Sequence, residues 1–159
     1  MSNSKEAAEK EYYHLEGEIG RYDLMCHGIK NWSITVNFAL LAAGFTEKTP
    51  ALFLLSALAA LVFWKTEARW KRIQLMHGVR IRAVEKFLNG GSSEYDGPKI
   101  SESISGLFLQ YGKGWKRAWG VTKREFRTMA YGNVQLPHNM IFITGCALYV
   151  LTYFDIINF

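Results

Sequence analysis

Two uncharged runs separated by four residues constrain this chain more than any other feature. Trp32 to Phe45 carries no ionised side chain, and neither does Ala51 to Trp64. Between them lie Thr46, Glu47, Lys48 and Thr49, and Pro50 then suits the first turn of a new helix, where its missing N–H is harmless. Two such runs joined by a tight turn are expected to pair as a long antiparallel helical hairpin. Their lack of charge reads as transmembrane, with spans over about 30–46 and 50–65. Each run alone is shorter than the ~20 apolar residues that a span usually needs. The flanks supply the rest. Lys30, Trp32, Trp64 and Lys65 are the residue types that anchor helix ends at a membrane interface, and bilayer thinning or snorkelling absorbs the remaining mismatch.

Both helices are expected to continue beyond the apolar runs. Upstream, Tyr12, Leu15, Ile19, Tyr22, Cys26 and Ile29 recur at alternating spacings of three and four, a helical seam that no proline interrupts. Downstream, Trp70, Ile73, His77, Ile81, Val84 and Leu88 form a second stripe, with Lys71, Arg72, Arg80 and Arg82 off it. Asn89, Gly90, Gly91 and the turn formers through Pro98 mark a stop. The upstream arm is acidic (Glu6, Glu9, Glu11, Glu16, Glu18, Asp23) and the downstream arm basic, so the two are expected to pair through opposite charges. Residues 1–88 thus read as a hairpin with stalks. Residues 89–136 read as a cytoplasmic linker with amphipathic basic and aromatic helices, and 137–159 as a C-terminal transmembrane helix centred on the apolar run from Met140 to Phe154. The fold class is all-α, an integral membrane protein.

Composition closes off several alternatives. The 159 residues suffice for one domain, and the start of the chain is too polar for a cleavable signal peptide. Two cysteines, Cys26 and Cys146, make neither a disulfide framework nor a zinc site. The four histidines show no metal spacing, and no acid/base or nucleophilic set converges in the sequence. An enzyme, a cofactor or a metal is therefore not expected, nor is specific nucleic-acid binding. Lys and Arg distribution sets the expected topology: residues 65–137 hold fourteen, the 46–49 turn holds one, and the chain after 155 holds none. The positive-inside rule then places 65–137 and the N-terminus in the cytoplasm and the C-terminus outside, as a multi-pass protein of a bacterial inner membrane.

Two groups of residues are candidates for function. Asn31, Ser33, Thr35 and Asn37 put polar groups at the start of the first span. They read either as a pore lining in an assembly or as hydrogen-bonding glue between helices. Small residues in the same runs (Ala39, Ala43, Gly44, Ser56, Ala60) permit close packing, in a closed hairpin or a homo-oligomer. The second group interleaves aromatic and basic residues: Trp115, Lys116, Arg117, Trp119, Lys123, Arg124 and Arg127. It reads either as a helix seated on anionic lipid or as a cationic pocket for an anionic signal. Gly112-Lys113-Gly114 lacks the spacing of a phosphate-binding loop.

Over residues 10–88 the chain resembles a group of small bacterial membrane proteins, through Ile29-Lys-Asn-Trp-Ser-Ile-Thr35 and Phe63-Trp-Lys-Thr-Glu-Ala-Arg-Trp70. The group is similar to the two-transmembrane effectors of anti-phage systems (the SLATT class). The resemblance implies an effector that oligomerises and breaches the inner membrane on a cytoplasmic trigger, such as a nucleotide signal or a partner protein. The other reading of the residues is a membrane-anchored sensor or scaffold that binds a cytoplasmic partner.

Overall fold

The computed structural model of the chain describes residues 2–91, 95–99, 123, 126–154 and 156. Among them every regular element is helical: α1 (Ser2–Thr46), α2 (Pro50–Leu88), α3 (Gly132–Gln135) and α4 (His138–Tyr153), with a further helical turn at 126–129. As the sequence predicts, α1 runs unbroken through Gly28, and α2 starts at Pro50. The turn between them closes with the Thr49 N–H on the Gly44 carbonyl (3.2 Å). At its far end α2 stops where the Asn89-Gly-Gly signal lies. Gly90 takes a left-handed φ of 74°. Its N–H bonds the Phe87 carbonyl, and the Gly91 N–H bonds that of Lys86. This crossed pair of bonds caps the last carbonyls of a helix, and it needs a residue free to adopt positive φ.

The chain divides into two compact units, Met1–Met25 with Trp70–Arg124, and Cys26–Arg69 with Glu125–Phe159. In the first, α1 and α2 run antiparallel along the two predicted stripes. Leu15, His77 and Val84 are fully buried, and Tyr12, Ile19, Tyr22, Ile73 and Ile81 are half-buried beside them. Tyr22 stacks on Trp70 (5.9 Å between centroids) and tilts against His77 (5.3 Å). The acidic and basic arms do pair: Lys71 Nζ reaches Asp23 at 3.2 Å, and Arg80 Nε reaches Glu11 at 2.8 Å.

In the second unit, α2 buries Phe53, Ser56, Ala57, Ala60, Glu67 and Ala68 along one seam. Small residues let other backbones come close. A Cβ on Gly145 of α4 would lie 2.8 Å from the Phe53 carbonyl oxygen and 3.1 Å from the Ala57 nitrogen, so α4 packs backbone to backbone on α2. Ala68, Met129 and Val134 form a small core with Trp64, whose indole N–H donates to the Met129 carbonyl (3.0 Å). Cys26 is buried and Cys146 half-buried, and neither is in a disulfide.

Among the described residues, one helix, Pro50–Leu88, is long and apolar enough to cross a membrane. α4 has 16 residues, short of the ~20 of a usual span.

The contrast between two glycines tests the packing. Gly145→Ala is expected to lower unfolding stability by about 1–3 kcal/mol, because the clash is with backbone that has no way to rotate aside. Gly17→Ala, with nothing within 4 Å of the new methyl group, is expected to raise it by up to about 1 kcal/mol. Thermal unfolding of both variants in detergent reads the difference. Equal effects would contradict the close α2–α4 approach.

Candidate functional site

The second unit holds a chain of polar side chains that closes on itself inside apolar helices. α1 contributes Lys30, Ser33 and Asn37, spaced three and four apart and so on one face. α2 contributes Ser56 and Glu67, both on its buried seam, and α4 contributes His138, its first residue. The side chains connect in series. Ser56 Oγ donates to Asn37 Oδ1 at 2.9 Å. The Asn37 amide donates to the Ser33 carbonyl at 2.7 Å and lies 3.4 Å from Ser33 Oγ. Ser33 Oγ is 2.9 Å from His138 Nδ1, and His138 Nε2 is 2.8 Å from Glu67 Oε2. The other Glu67 oxygen faces Lys30 Nζ at 3.2 Å, and Lys30 also donates to the Asn133 carbonyl.

The order of donors follows from the chemistry of each group. A carboxylate only accepts, so beside an ionised Glu67 the imidazole carries a hydrogen on Nε2. In the neutral tautomer Nδ1 is then an acceptor, and Ser33 donates to it. In that tautomer hydrogen bonds run in one direction from Ser56 to Glu67, each group satisfied by the next. Ser33, Asn37, Ser56 and His138 are 0% exposed and Glu67 1%. Only the Lys30 side chain, at 23%, reaches the surface. An ionised group held this deep is stable only when paired and hydrogen-bonded.

Ser33, His138 and Glu67 have the connectivity of a hydrolytic relay. Complete burial of the Ser33 hydroxyl leaves an acyl substrate no approach to it. What the arrangement does instead is tie three helices together through charge and hydrogen bonds.

The four polar residues singled out in the first span separate onto two faces. Ser33 and Asn37 belong to the buried chain, as helix-to-helix glue. Asn31 and Thr35 are exposed, and the Thr35 hydroxyl is spent on the Asn31 carbonyl at 2.9 Å. Of the basic and aromatic group, Lys123 and Arg127 are exposed. Trp115, Lys116, Arg117, Trp119 and Arg124 lie outside the described residues. Sequence reasoning missed Lys30, Glu67 and His138 as partners. A signal existed for Glu67, which falls in helical phase with Phe53, Ser56 and Ala60. Nothing near His138 in the sequence points to it. Among the described residues, no group of three His, Cys, Asp or Glu could hold a metal ion.

Comparison with known protein families, characterised proteins and solved structures gives no match.

The pair at the centre is open to a double-mutant cycle. Glu67→Gln and His138→Phe are each expected to cost about 3–5 kcal/mol, since each strands a buried partner. The double variant is expected to cost less than the sum by about 1–3 kcal/mol. Denaturant unfolding in detergent measures all three, and strict additivity would remove the pair from the account.

Proposed function

We propose that this chain is a multi-pass membrane effector that self-associates and permeabilises a bilayer when triggered from the cytoplasmic side. The observation that carries the reading is the buried chain from Lys30 to Ser56. Ionisable residues set among apolar helices are costly, and in membrane proteins they usually mark a pathway or a gate. The faces turned away from this chain support a lipid environment. Leu54, Leu55, Leu58 and Val62 of α2 are exposed, as are Trp32, Phe38 and Phe45 of α1 and Met140, Ile143 and Val150 of α4. Only 33% of the apolar window of α2 is buried, whereas the core helix of a soluble protein is mostly buried. In water, so much apolar surface calls for a cover.

In this reading the closed chain is the resting state. Opening means exchanging the bonds of Ser33, Asn37 and His138 within one copy for bonds to water or to a second copy. Such an exchange is cheap once water is present, because a bond to water replaces each bond broken. α1, α2 and α4 each cross or enter the bilayer, with the N-terminus and residues 65–137 cytoplasmic and the C-terminus outside. A partner protein or a nucleotide signal acts as the trigger, and the resemblance of residues 10–88 to anti-phage effectors supports a role in defence of a bacterial cell.

Potential-sensitive dye fluorescence in cells producing the protein tests this. Induction is expected to collapse the membrane potential under a triggering condition. Asn37→Leu is expected to change the leak at least about fivefold, the factor that one lost hydrogen bond of about 1 kcal/mol represents. Asn3→Leu, on an exposed position, is expected to leave it unchanged. An unaltered potential under every trigger, together with a stoichiometric cytoplasmic partner in pull-down, would replace the effector by an anchored scaffold.

A further inference from the structure

In the first unit, the outer face of α1 is apolar and small where a water-facing arm would be expected to be charged. Tyr13, Gly17, Gly20 and Leu24 recur at spacings of four, three and four, so they share one side of the helix. That side lies opposite the seam through Leu15, Ile19 and Tyr22, and all four residues are exposed. Tyr13 is 70% exposed and Leu24 74%. Lipid can cover such a face on a membrane span, but this arm belongs to the part that the proposed topology leaves in the cytoplasm.

The two glycines have no use among the described residues. A glycine inside a helix is destabilising relative to alanine, and it is worth keeping where a neighbour comes too close for a side chain. Gly145 is of that kind, with the Phe53 carbonyl oxygen 2.8 Å from where its Cβ would stand. At Gly17 and Gly20 a Cβ would meet nothing within 4 Å. Alanine at either position would strengthen the helix of a single chain, so the room they leave suits a neighbour that the single chain does not supply.

Charge selects that neighbour. Glu16 and Arg21 flank the stripe on opposite sides, five residues apart. In two parallel helices that meet along such a stripe, this is the spacing at which a residue of one helix faces an opposite charge on the other. Two-fold symmetry makes the pair twice. Both side chains are accessible. Glu16 is exposed and has no partner among the described residues. Arg21 is 68% exposed, and its 2.7 Å bond to Glu18 is a surface pair of little worth.

We propose that α1 pairs with α1 of a second copy, parallel and side by side. The backbones approach at Gly17 and Gly20, Tyr13 and Leu24 pack at either end, and Glu16 of each copy meets Arg21 of the other. The parallel sense rests on the membrane reading above, since two copies in one bilayer carry α1 in the same direction. The pairing uses the side of α1 turned away from α2, so it leaves the hairpin closed.

Disulfide cross-linking of the full-length protein in native membranes tests the pairing, in a Cys146→Ser background that leaves the buried Cys26 in place. Leu24→Cys is expected to give a covalent dimer. Met25→Cys, next in the chain but about 100° round the helix, is expected to give at least about fivefold less. Adding Gly20→Leu is expected to lower the Leu24→Cys dimer about tenfold by overfilling the contact. Glu16→Arg or Arg21→Glu alone is expected to lower it about fivefold, the factor that two surface ion pairs represent, and the two together to restore it. Equal cross-linking at positions 24 and 25, or a charge swap that restores nothing, overturns the pairing. So does a mixture of Tyr13→Cys and Leu24→Cys chains that links while Leu24→Cys alone does not, because that makes the helices antiparallel. A Leu24→Cys product that joins this chain to a different protein also overturns it. A dimer at Leu24 in cells whose potential stays intact would leave the pairing standing and remove the permeabilising role. A collapsed potential without the dimer would do the reverse.

Discussion

Burying the Glu67 carboxylate is costly, and the second unit is arranged to make it tolerable. Taking one carboxylate out of water costs several kcal/mol even after relaxation. Lys30 pairs with it from α1, and His138 hydrogen-bonds it from α4. The need to satisfy His138 then brings in Ser33, and Ser33 and Ser56 between them satisfy Asn37. Each polar residue is present because its neighbour in the chain requires a partner. A network of this kind gives a unique arrangement when complete and becomes a liability when broken.

The two units solve the same problem in different surroundings. Glu11 is held by a bidentate arginine, a phenol and a backbone amide, all brought by α2 and the segment that follows it. Glu67 is held by a lysine and an imidazole. The arginine fork saturates its carboxylate with charge-assisted bonds, whereas the imidazole passes the demand on to the next hydroxyl. One arrangement continues from Arg80 to Asp96 and Gly97 just past α2, and the other runs through three helices. That difference is why the proposed membrane function rests on Glu67.

Much of the fold was legible in the sequence, for physical reasons that differ by element. The seams through Leu15, Ile19 and Tyr22 and through Ile73, His77 and Val84 were readable because helical periodicity alone decides which face is buried. Pro50 and Asn89-Gly90-Gly91 marked helix ends because their backbone chemistry permits little else there. The pairing of acidic and basic arms followed from charge. The candidate site was only half visible. Ser33 and Asn37 declared themselves as polar groups in an apolar run, but Asn31 and Thr35 beside them turned out to face outward, which the sequence left open until the partner helices were placed. His138 is separated from Glu67 by 71 residues, and no local pattern brings such a pair together.

The central claim is that the helices around the Lys30–Ser56 chain lie in lipid, and alkaline carbonate extraction of membranes from cells making the native chain tests it most directly. The account predicts that the protein stays with the washed membranes and is released only by detergent. A folded, monomeric protein recovered in buffer without detergent would contradict it, and would make the buried polar chain the core of a soluble bundle.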